Sequence, residues 1–131
     1  MGSDYERLNL AQSLSGGRHG KILRLISRIA MLTIEVPEAM KGGDWPEQRR
    51  LRGDLDEALA RLVDFASALP AALGPELSAL VEAGHGAVRA ILITPRGSTG
   101  AVALARASSS AAVAAADRIR EALDEGSGGE P

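Results

Sequence analysis

The residues best placed to do chemistry lie together in Ser15-Gly16-Gly17-Arg18-His19-Gly20-Lys21, a glycine-rich segment ahead of an apolar run. A loop of this kind that opens a helix can turn backbone N–H groups and the positive end of the helix dipole toward a phosphate or another anion. Nucleotide hydrolysis demands more. The phosphate-binding loop follows a strand and spaces its residues as Gly-x-x-x-x-Gly-Lys-Ser/Thr. Here Gly16 and Gly20 stand one residue too close, Ile22 replaces the magnesium-binding hydroxyl, and nothing ahead of the loop reads as a strand. The segment is expected either to hold an anion or simply to connect two helices.

His19, with Arg18 and Lys21 beside it, raises phosphotransfer, because an accessible imidazole flanked by cations can carry a phosphoryl group. Its place between glycines, at a helix start instead of within a helix, argues for an ordinary loop histidine. His85, in Gly84-His85-Gly86, is expected to lie in a link from helix to strand. Two histidines without cysteine, and without a carboxylate at ligand spacing, predict no metal site. Ser108-Ser109-Ser110 reads as a helix cap. Asp54, Asp56 and Glu57 sit at helical spacing with arginines among them, as a solvated face would. No catalytic residue is assigned and no cofactor is expected.

Basic residues form the other candidate. Lys21, Arg24 and Arg28, together with Arg18, fall within about a third of a helix circumference. With Arg49, Arg50 and Arg52 they would make a surface for a nucleic-acid backbone or an acidic protein. The plain alternative is a polar edge on a buried helix, with Arg28 paired to a carboxylate of the following helix. Arg96 adds one more cation, in the turn-rich Pro95-Arg96-Gly97-Ser98-Thr99-Gly100.

The elements that must position these groups are read against a composition of 45% apolar and 24% charged residues in 131, which suits one globular domain. Absent cysteine excludes disulfides and thiol chemistry, and a single Trp, Tyr and Phe leave little aromatic surface for stacking. No apolar run is long enough to span a bilayer, and the first residues lack the pattern of a signal peptide, so a cytoplasmic protein without membrane contact is expected. Net charge is −2, but unevenly spread: nine Lys/Arg face six Asp/Glu through Arg52, and six face eleven thereafter.

Ser3-Asp4-Tyr5-Glu6 is a capping box that predicts a first helix to about Leu14. A second is expected from about Gly20 to Ile34, where Val36-Pro37 disfavours straight continuation and leaves room for one further turn to Lys41. Asp44-Trp45-Pro46-Glu47 starts a third. Its Leu51, Leu55, Ala58, Leu62, Phe65, Ala66 and Leu69 recur at helical spacing, with Glu57 and Arg61 as an i,i+4 pair and Gly53 as a weak point. Pro70 ends it, and Gly74-Pro75-Glu76 opens a short fourth helix that Gly84 closes. Val88 to Thr94 is β-branched and apolar, and Ala101 to Ala105 is a second apolar run across a turn-rich loop. These predict a β-hairpin over about 87–106, followed by a helix and a disordered tail over 125–131.

The expected fold is therefore α+β and mainly helical: about four helices, a hairpin and a C-terminal helix, in one domain over 1–124. Helix, short helix, hairpin, helix resembles in element order part of a winged-helix domain, which implies a hairpin wing touching DNA. Pro75 to Ala83, where the recognition helix would lie, carries two acids and no base. An apolar hairpin also invites pairing with a second copy. The sequence thus points to a small helical adaptor or regulator that binds another protein, as a homodimer. A nucleic-acid-binding regulator and a small enzyme or phosphotransfer protein using His19 are the alternatives.

Overall fold

A computed structural model of the chain describes residues 20–93 and 99–128 and contains four helices. They are α1 (Gly20–Lys41), α2 (Trp45–Phe65), α3 (Gly74–Ile93) and α4 (Thr99–Gly128), with two 3-10 turns, Ala66–Ala68 and Ala71–Leu73, joining α2 to α3. The capping-box helix expected before residue 15, Arg18, His19, Arg96 and the end of the tail at 129–131 lie outside the described residues.

Each helix owes its place to a stripe of buried residues stepping by three and four. In α1 the stripe is Ile22, Ile26, Ile29, Thr33, Val36 and Met40. In α2 it is Gln48, Leu51, Leu55, Ala58, Leu59 and Leu62. Such alternation suits the shallow crossing of four-helix bundles. α1 and α2 run antiparallel, with Arg28 reaching Asp54 and Glu35 reaching Arg50, and α1 meets α2, α3 and α4. The core lies between them.

The α1–α2 corner is built as its sequence announces. Asp44 N–H donates to the Ala39 carbonyl at 3.1 Å and Gly43 N–H to the Met40 carbonyl at 3.2 Å, the paired bonds of a Schellman cap. Gly43 takes the left-handed conformation this cap needs, with φ of 66°. Asp44 then caps α2, its Oδ1 accepting from Glu47 N–H at 3.0 Å. Beyond expectation, α1 runs unbroken through Pro37. Proline inside a helix costs about 3 kcal/mol, but Val36, Pro37, Ala39 and Met40 are all buried. Burying the Val36 and Met40 side chains is worth about 1.5–3 kcal/mol each. The buried Thr33 hydroxyl donates to the Ala30 carbonyl at 2.6 Å one turn earlier.

The β-hairpin over about 87–106 is not formed, and with it the α+β class falls: the described residues contain no strand and the fold is all-helical. Gly84 does not close a short helix; α3 passes through it. Leu77, Leu80, Gly84, Ala87 and Ile91 make one buried stripe. The β-branched residues of Val88–Ile93 lose at most about 0.7 kcal/mol each in a helix, too little to outweigh that burial. The second supposed strand, Ala101 to Ala105, lies in α4, as its alanines favour. Ser108-Ser109-Ser110 is therefore mid-helix and caps nothing. The winged-helix element order goes with the hairpin, as does the pairing of two hairpins into one sheet.

Glycines at 84 and 86 mark where α3 is approached most closely. A Cβ on Gly84 would lie 2.7 Å from Leu59 Cδ2 of α2, and one on Gly86 would press on the Ser108 hydroxyl of α4. The α3–α4 contact is the broadest in the bundle, and Gly86 of α3 meets Ser108 and Leu104 of α4 across it. Among the described residues no helix is long and apolar enough to cross a membrane.

Candidate functional site

Antiparallel pairing sets the first part of α1 beside the last turns of α2. Lys21, Arg24 and Arg28, three of the residues singled out from the sequence, line one cleft there. Arg61 and Phe65 of α2 form its other wall, Leu25 its floor, and its volume is about 340 Å³. Arg61 and Phe65 were read from the sequence as a helix-surface partner and a core residue. Counting outward from the Gly42–Asp44 turn sets Phe65 opposite Lys21 and Arg61 opposite Leu25.

Other expected members of the basic surface are elsewhere. Arg49 and Arg52 fall roughly 120° or more around α2 from Arg61. Arg50 is bound to carboxylates: to Glu47 at 2.7 Å, Asp54 at 2.8 Å and Glu35 at 3.4 Å. Arg28 reaches Asp54 at 3.7 Å, the pairing with the following helix that its position suggested. The hydrogen bonds from Arg50 hold the Glu47 carboxyl below the usual carboxylate range, and Glu47 in turn raises Arg50.

At the opposite end of the same two helices the sign reverses. Glu35 and Glu38 of α1, with Asp44 and Glu47 about the start of α2, line a cleft of about 400 Å³ together with Ile34. The Arg28–Asp54–Arg50–Glu35 chain of ion pairs lies between the basic and acidic ends.

A third feature is apolar. The end of α2, the two 3-10 turns and the start of α3 enclose a groove of about 490 Å³. Leu62, Val63, Leu69, Leu77 and Val81 supply its walls, and among the described residues Glu82 is its only ionisable group. Val63 is 61% exposed. Most of the long stripe of α2 is consumed inside the chain, with Leu51, Leu55 and Leu62 at 1% exposure or less. Apolar surface is left outside at Val63 in this groove, and at Trp45, Phe65 and Leu92 away from it.

His85 is exposed on α3, inside a helix and not in a link. Among the described residues no three His, Asp or Glu side chains converge as a metal site requires. Ser109 and Ser110 line a depression with Arg106, Glu38 and Pro37, and among the described residues that line it there is no histidine to activate a nucleophile. No protein-family model, curated protein or solved structure matches this chain.

Proposed function

We propose that the protein is a helical binding module that holds an aliphatic segment of another protein in the groove between α2 and α3. The observation that carries this reading is the groove itself, where Val63 and Val81 stand beside the buried Leu62 and Leu77. An aliphatic side chain entering such a groove gains about 25 cal/mol for each Å² of apolar area removed from water. Glu82, alone among the lining residues in bearing charge, favours a segment with a lysine or arginine next to its apolar anchors. Grooves that take an amphipathic helix read it through anchors at i, i+3 or i+4, and i+7.

The test is titration of isotope-labelled protein with a helical peptide carrying leucines at those positions and one lysine. Saturable shifts confined to Val63, Leu69, Leu77 and Val81 are expected, with affinity falling at least about tenfold in Val63→Asp and Val81→Asp. An unaffected spectrum, or shifts that survive both substitutions, would end the proposal. The nucleic-acid alternative has lost its hairpin, and among the described residues its support is the cleft of Lys21, Arg24, Arg28 and Arg61. A polyanion lying along that face would meet Glu35, Glu38, Asp44 and Glu47 within the same two helices.

A further inference from the structure

The solvent-facing edge of α1 carries a second stripe, Lys21, Arg24, Arg28, Met31, Glu35 and Glu38, with Met31 half-buried against the core. These positions step by three and four, as the buried ones do, and so run in line along the helix. None is buried. Read in order, the stripe is cation, cation, cation, methionine, anion, anion. Reversed and laid on itself, it matches. With a two-fold axis midway between Arg28 and Met31, Lys21 meets Glu38 of the second copy, Arg24 meets Glu35, and Arg28 packs over Met31.

The flanking helix obeys the same symmetry. Arg61 extends the basic end and Asp44 and Glu47 the acidic end, so turning one copy end for end brings each cleft against the other's opposite. A two-fold interface must be self-complementary in this way, residue i meeting j while j meets i. We infer that the α1–α2 face is a dimer interface, two copies pairing antiparallel along the charged stripe of α1. The face is separate from the apolar groove, so the inference does not depend on the binding proposed there.

Charge carries the attraction, and exposed pairs are individually weak and screened by salt. Sedimentation equilibrium should show a dimer at about 25 mM salt whose dissociation constant rises about tenfold or more by about 500 mM. Lys21→Glu with Arg24→Glu makes the stripe acidic apart from Arg28, while Glu35→Lys with Glu38→Lys makes it wholly basic. Each doubly substituted chain should be monomeric under conditions where the parent is a dimer. An equimolar mixture of the two should form a 1:1 heterodimer, because the acidic stripe now fits only the basic one. That recovery also shows that both variants are folded. A parent that stays monomeric at low salt overturns the inference. So does a dimer unaffected by either reversal, or a pair of variants that fail to recombine.

Discussion

Glycine does three different jobs in this chain, and substitution separates them. Gly43 is needed for its backbone: its φ is 66°, and no atom lies within 4 Å of the Cβ that alanine would add. Gly43→Ala should cost about 1–2 kcal/mol, the strain of a left-handed L-residue, and asparagine should cost less. Gly53 is also unobstructed, but it stands in the middle of α2 with ordinary helical geometry. There alanine should stabilise by about 1 kcal/mol. Urea unfolding of the two variants checks both, and equal effects would refute the distinction. The weakness of Gly53 was legible in the sequence, because it follows from a local backbone rule.

The sign of the Glu47 contribution can be worked out at the same scale. Its hydrogen bonds from Arg50 depress the carboxyl in the folded chain. The stabilisation is therefore complete above the unfolded value of about 4.3 and disappears as pH falls through the lower folded one. Glu47→Gln should be less stable than the parent by a constant margin above about pH 5, with the gap closing below about pH 4. A gap that widens on acidification would contradict the assignment.

At the scale of elements, starts and stops supplied by caps were readable and the interior of α3 was not. Asp44, Pro46 and Gly43 signal their roles through chemistry that acts within four residues. Gly84 and Gly86 looked like punctuation for the same local reason, and so α3 was divided into a short helix and a strand. Their role is set by neighbours distant in sequence, Leu59 and Ser108. The stripe Leu77, Leu80, Gly84, Ala87, Ile91 was present all along, but only if glycine is counted as a contact surface. Gly84→Ala should destabilise by about 1–2 kcal/mol despite alanine's better helix propensity, because the buried Leu59 must move. Leu59→Ala should cost less in that background than in the parent, by about 1 kcal/mol, as a double-mutant cycle would read. Simple additivity would mean that the close approach has no energetic weight.

At the scale of the molecule, half of the basic cleft was visible beforehand and half was not. Lys21, Arg24 and Arg28 share a helix, and their spacing alone aligns them. Arg61 and Phe65 join them only once α1 and α2 are folded against each other, and the acidic end emerges by the same step. The groove was hidden more deeply. It is enclosed by Leu69, Pro70 and Ala71, a stretch whose proline announced a helix end but not the pair of 3-10 turns that holds α2 and α3 apart there. Surfaces of this sort depend on how elements dock, and no periodicity within one element encodes them.

The narrow seams around α3 bear on how such a chain can change over generations. Leu59 and Ser108 lie so close to the glycines of α3 that an added methyl group must displace them, so positions 59 with 84, and 86 with 108, are bound to change as couples. A drift toward larger residues on α3 would have to be answered across the seam on α2 or α4 before it could persist. Variation should therefore collect on the outer faces of the helices, leaving the closest-packed part of this bundle its most slowly altering inheritance.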